Sequence, residues 1–130
     1  MKENKVKYIK EIERFKMIKT VEGSIFDNLP DYSVFLHQCN AKGWMGSGIA
    51  AKVAKKWPQV YKEYHEFCGW FKNGHEREIM GTIVSVQVNP KFIVCNAIAQ
   101  YSVSRFREMT DYDAWETICK KLESQTRIMN

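Results

Sequence analysis

The stretch His37–Lys52, HQCNAKGWMGSGIAAK, puts three glycines and an asparagine between two apolar segments of different period. Ahead of it VFLHQC is a short run of strand formers, whereas Ile49, Ala50, Val53, Ala54 and Trp57 behind it recur at helical spacing. The segment therefore predicts a strand, a glycine loop and a helix start. Gly43, Gly46 and Gly48 let backbone amides approach a ligand with no Cβ in the way, and the free N–H groups of a helix start favour an anion. A phosphate-bearing ligand fits such a joint, and so does a tight strand-to-helix connection with no ligand at all.

The flanking sequence extends the pattern. FKMIKTVEG predicts a strand ending at Gly23, and Asn28, Pro30 and Asp31 supply turn residues before the strand Ser33–Cys39. Pro58 ends the first helix and opens a second, in which Val60, Tyr61, Tyr64, Phe67 and Cys68 line one face until CGWFKNG terminates it. Further on, GTIVSVQV alternates with Val84, Val86 and Val88 on one side, NPK turns the chain, and FIVCNAIA returns as a buried strand, so the pair predicts a hairpin. A last helix begins near Thr110 or Asp111 with Trp115, Ile118, Cys119 and Leu122 as its core stripe. Strands mixed with helices on both faces give an α/β layered fold.

With 130 residues, 45% of them hydrophobic, the chain suits one domain over 1–130, with the charged Met1–Arg14 left as an N-terminal extension of no assigned element. Neither a repeat nor a Pro/Gly/Ser-rich linker marks a second domain. No apolar run approaches the roughly 20 residues a membrane span needs, and the lysine-rich start has no signal-peptide core, so no membrane partner and a cytoplasmic location are expected. Cys39, Cys95 and Cys119 sit in apolar runs, where a reduced thiol acts as a small hydrophobe. The formal charge of +5 suits an anionic partner, a nucleotide-like molecule or a nucleic acid.

Taken together and in order, GSIF, LHQCN, GWMGSGIA, KKWPQVYKEY, NAIAQYSVSR and TDYDAWETICKKL resemble a macro domain, over about Thr20 to Ser124. The branch most alike is the small stand-alone one that contains the ADP-ribose 1''-phosphate phosphatases and related phage and bacterial proteins. The resemblance implies a three-layer α/β/α domain on a mixed sheet, with ADP-ribose bound at the C-terminal ends of the strands. It implies that Gly23, Ser24 and Ile25 sit beside the adenine, although Ser24 replaces the usual aspartate and lacks the charge that strengthens a bond to the adenine amino group. Asn40 falls on the asparagine that contacts the distal ribose, and its alternative is an Asx turn closing the strand. Gly46, Ser47, Gly48 and Ile49 fall on the loop that wraps the ribose and diphosphate, with Gly43 and Trp44 just ahead of it. Trp44 could cover a sugar or base, or cap the core. His37 falls where the phosphatases carry a histidine able to shuttle a proton at a phosphate ester, and a core histidine hydrogen-bonded to backbone fits the position equally. Gln100, Tyr101, Ser102 and Ser104 fall where the second wall of the cleft begins.

Relatives of this type continue past the last helix into a further strand, a glycine-rich phosphate loop and a helix, whereas this sequence stops at Asn130 and is C-terminally shortened against them. That difference predicts unpaired strand edges and a homo-oligomer in which a partner, or Met1–Arg14, fills the sheet. Catalytic roles are expected for His37 and Asn40, in an ADP-ribose 1''-phosphate phosphatase or an ADP-ribosyl ester hydrolase. A non-catalytic ADP-ribose-binding module and a degenerate macro domain with an assembly role are the alternatives. No cofactor and no metal are expected. His65 and Cys68 share a helix face but lack two further ligands at diagnostic spacing. Nucleic acid is not an expected partner either, because a lysine cluster such as Lys52, Lys55 and Lys56 is most often simply solvated.

Overall fold

Side chains from Val34 to Cys39 alternate in burial, Phe35, His37 and Cys39 inward and Val34 and Leu36 outward, and this alternation makes Ser33–Asn40 a strand, β1. A computed structural model describes residues 20, 22–27, 29, 33–104 and 109–129, with side chains described as far as 124. They divide into two units, within 1–30 and within 31–130, each described by itself. In the first, Gly23 bends the chain at φ +107° and Ile25–Asp27 form a single 3₁₀ turn. The Ser24 hydroxyl accepts the Phe26 N–H at 3.2 Å, as a turn-starting serine does. Most of the strand expected over Phe15–Gly23, together with Met1–Arg14, Asn28, Pro30 and Asp31, lies outside the described residues.

The second unit holds β1, two helices α1 (Gly48–Lys56) and α2 (Pro58–Gly69), a 3₁₀ turn at Glu76–Ile79, the hairpin β2 (Ile83–Asn89) and β3 (Phe92–Gln100), and the helix α3 (Tyr112–Met129). The sheet order is β1-β3-β2, with β3 parallel to β1 and antiparallel to β2, so the sheet is mixed as expected. β3 lies between the other two, which explains why FIVCNAIA is apolar almost without alternation. Its register sets one row across all three strands, His37 opposite Asn96 and Asn96 opposite Val84. Among the described residues β1 pairs with β3 alone.

Helices α1 and α2 cover the face carrying Phe35, His37 and Val94. Trp57, at their junction, meets Phe35 edge-on with ring centroids 5.9 Å apart, and Val53, Val60, Tyr64 and Cys68 are buried. The opposite face is a small cluster of Ala97 and Ala99 against Ala114 and Ile118 of α3, flanked by Trp115 and Leu122. Ile118 is fully buried there, so truncation to alanine costs about 3 kcal/mol. Cys119 is exposed rather than part of the stripe. Close contact with two sheet alanines favours the small Ala114 at the centre, and rotating the helix to bury 114 and 118 turns position 119 outward.

Candidate functional site

Asn40 is the last residue of β1, at a register shift against β3, rather than one residue beyond the strand. Its amide closes the loop that follows. Oδ1 accepts the N–H of Lys42 at 3.0 Å and of Trp44 at 3.1 Å, and Nδ2 donates to the Trp44 carbonyl at 2.7 Å. From α2, the fully buried Tyr64 hydroxyl donates to the Asn40 carbonyl and stands 3.1 Å from Oδ1. Asn40 therefore does form the Asx-type closure, and it does so at the mouth of a cleft. Gly43 is needed for packing. Its φ is +82°, and a Cβ there would meet the Cys68 Cβ at 3.1 Å. His65 donates from Nδ1 to the Gly43 carbonyl at 2.9 Å and holds the loop to α2.

Beyond Trp44, which is half exposed, the loop turns into α1. Ser47 is the N-cap with extended backbone, and its hydroxyl makes no capping bond to the helix. A Cβ on Gly46 would meet nothing within 4 Å, so that backbone faces open space, whereas Gly48 has φ +61° and is held to glycine by conformation. The sequence thus uses its three glycines for three reasons: tight packing, open approach and positive φ.

His37 points to the α1/α2 side and is 6% exposed. Its Nε2 lies 2.6 Å from Asn96 Oδ1, and Asn96 Nδ2 donates to the Val84 carbonyl at 3.0 Å. Burial holds the His37 pKa below its ordinary value, opposed by the Asn96 bond. The Cys39 thiol lies 3.6 Å from Nε2, and burial pushes its pKa up, with the Cys68 thiol adding to the effect. A raised thiol pKa makes it a poor nucleophile.

These side chains meet in a cleft of about 880 Å³ at the C-terminal ends of β1 and β3. Of the residues expected at the site, His37, Asn40, Trp44, Gly46, Ser47, Ile49 and Gln100 line it, joined by Ser104, whereas Gly43 and Gly48 shape the loop from outside. Gly23, Ser24 and Ile25 belong to the other unit and are described within it. Tyr101 is engaged elsewhere, its ring 4.5 Å from Lys42 Nζ and 4.3 Å from the Arg77 guanidinium. Unforeseen were Leu36, Gln38 and Val103 on the cleft wall and Asn96 beneath it. Gln38 is placed by three side chains, since Nε2 donates to Gln100 Oε1 and Thr110 Oγ1 and Oε1 accepts from Trp115 Nε1 at 2.7 Å. A single polar residue within FIVCNAIA was the signal available for Asn96. Among the described residues no group of three or more His, Cys, Asp or Glu side chains could hold a metal, and no helix is long and apolar enough to cross a membrane.

No family model matches the chain. It is similar to the ADP-ribose 1''-phosphate phosphatase of Debaryomyces hansenii, 39% identical over 56 residues that make up 40% of this chain and 31% of the relative. To the protein of the same name from Scheffersomyces stipitis it is 32% identical over 94 residues, 61% of this chain and 54% of the relative. The chain thus spans about a third to a half of the length of these curated relatives. Among solved structures, the macrodomain of Mycobacterium tuberculosis DarG superposes with a TM-score of 0.66 at 19% identity, over 88% of this chain and 70% of that one.

Proposed function

We propose that this chain, whose fold is that of a macro domain, binds ADP-ribose or a derivative in the cleft at the ends of β1 and β3 and hydrolyses it, as an ADP-ribose 1''-phosphate phosphatase or an ADP-ribosyl ester hydrolase. The observation that carries the proposal is the convergence of the open Gly46 backbone, the uncommitted Ser47 N-cap hydroxyl and His37 on one cleft of about 880 Å³, the size of a nucleotide-scale pocket. The start of α1 offers N–H groups to a phosphate, and Asn40, Trp44 and Gln100 surround the space a sugar would take. His37 handles the proton at the distal phosphate, with no cofactor invoked. Similarity to relatives named for this phosphatase activity supports the same substrate class.

A second reading, binding without turnover, is favoured by one observation. Much of the Asn40 amide is taken up by the loop backbone, so the residue serves first to shape the cleft. Phosphate release from ADP-ribose 1''-phosphate separates the two. Hydrolysis is expected, with a fall of about 10²-fold or more in His37→Ala. Calorimetric binding of ADP-ribose with no phosphate release would establish the module instead, and neither binding nor release would end both readings.

The same proposal places the chain in the cytoplasm, where cysteines such as the buried Cys39, Cys68 and Cys95 remain thiols, and makes it a homo-oligomer. Support for assembly comes from β1, which pairs on one side among the described residues and exposes Val34 and Leu36.

A further inference from the structure

We infer that Asn96 is a positioning residue that fixes His37 as the Nε2–H tautomer, so that the ring serves the cleft as a base at Nδ1 and not as an acid. Three adjacent strands settle the tautomer. The Val84 carbonyl can only accept, so the end of the Asn96 amide 3.0 Å from it must be the nitrogen. The other end, Oδ1, then faces His37 Nε2 at 2.6 Å, and because an amide oxygen can only accept, Nε2 carries the hydrogen. A neutral imidazole has one N–H, which leaves the lone pair on Nδ1.

The arrangement is rigid because Asn96 is fully buried and sits in the row shared by His37 and Val84. A buried amide left without these partners would cost about 1–3 kcal/mol, so the pairing is enforced by burial and by sheet register together. Asparagine rather than aspartate at this position means that no charge compensates an imidazolium. Among the described residues a titratable group beside the ring is the Cys39 thiol, 3.8 Å from Nδ1. The Cys68 thiol that acts on it and the Tyr64 phenol on which both thiols act, from α2, are buried with it, and burial raises the pKa of all three and keeps them neutral. His37 is therefore set to take a proton, such as one from a water attacking the phosphorus, and it can return one only after that. The tautomer stands on geometry alone, while its use as a base rests on the reading of the cleft proposed above.

Two-bond ¹H–¹⁵N correlation spectra of the ¹⁵N-labelled chain at neutral pH report the tautomer directly, with His37 identified by comparison with His37→Gln. The expected spectrum has a protonated-type shift at Nε2 and an unprotonated-type shift at Nδ1. Replacement by Asn96→Asp should give protonated-type shifts at both nitrogens, and Asn96→Leu should give a tautomer mixture and a fall in phosphate-release kcat of about 10-fold or more. A purely structural Asn96 would lower stability in these variants without moving the His37 nitrogen shifts. Should neither variant fold, the unmodified chain still decides, because an Nδ1–H tautomer or a mixture there overturns the inference. Adding ADP-ribose to the same sample keeps the two proposals apart: an Nε2–H ring whose shifts ignore ADP-ribose overturns the proposed ligand and leaves the tautomer assignment in place.

Discussion

Replacing Asn40 by alanine removes three hydrogen bonds that hold the 40–44 loop, those from Lys42 N at 3.0 Å and Trp44 N at 3.1 Å to Oδ1, and that from Nδ2 to the Trp44 carbonyl at 2.7 Å. Each contributes about 1 kcal/mol net, which puts the loss near 3 kcal/mol and the fall in Tm at roughly 10 °C for a domain of this size. The Tyr64 hydroxyl keeps its bond to the Asn40 carbonyl, so the strand end stays tied to α2 and the damage falls on the loop. Since that loop feeds Trp44 and Gly46 into the cleft, ADP-ribose affinity should fall along with stability. Aspartate does not rescue it, because a carboxylate oxygen then stands about where Nδ2 was, against the Trp44 carbonyl. Differential scanning calorimetry and isothermal titration of the same preparations make the test. A Tm within about 2 °C of the unmodified chain, with affinity lost, would show that Asn40 acts by touching ligand and that the loop does not depend on it. No change in either would remove Asn40 from the site.

Gly46→Ala should leave Tm unchanged, since the added Cβ meets no protein atom, while weakening ADP-ribose roughly 10-fold by intruding on the cleft; a lower Tm with unchanged affinity would contradict the open approach. His37 is buried with its pKa below the ordinary 6.5, so the unfolded chain binds its proton first; the stability His37 contributes is complete above about pH 6.5 and is lost as pH falls from there toward the folded value. Urea unfolding between pH 5 and 8 should show that acid-side loss reduced in His37→Gln, and identical profiles would refute it. Light scattering should find a dimer or larger assembly that Val34→Lys with Leu36→Lys returns to monomers, and a monomeric unmodified chain at high concentration would refute assembly through the β1 edge.

Element types were legible because each depended on period. VFLHQC and FIVCNAIA read as strands, the spacing from Ile49 to Trp57 as a helix, and Pro58 as the start of the next. Cys119 was misassigned because a stripe of alternatives three or four apart does not say which one is centred, and the sheet alanines that decide it come from another segment. Loop residues at the site were readable for a local reason. The Asn40 amide closes on Lys42 and Trp44, two and four residues further on, and glycine spacing marks where a backbone is exposed. The His37 partner was not readable, since Asn96 is 59 residues away and becomes its neighbour through strand register alone. Gln38, bonded to Gln100, Thr110 and Trp115, is hidden for the same reason.

The row His37, Asn96, Val84 also limits how the gene can change in length. Successive strand residues face opposite ways, so deleting one residue between Phe92 and Asn96 would swing the amide to the α3 side and place an apolar neighbour beside the imidazole. Inserting two restores the facing but carries Asn96 about 7 Å along the strand, out of reach of both partners. The turn Trp70–Gly74, remote from that row in sequence and largely exposed, carries no such constraint. Insertions and deletions in homologous genes should therefore gather at this turn and leave the strand interiors uninterrupted, so that the frame of the hairpin, and not only its residues, is under selection.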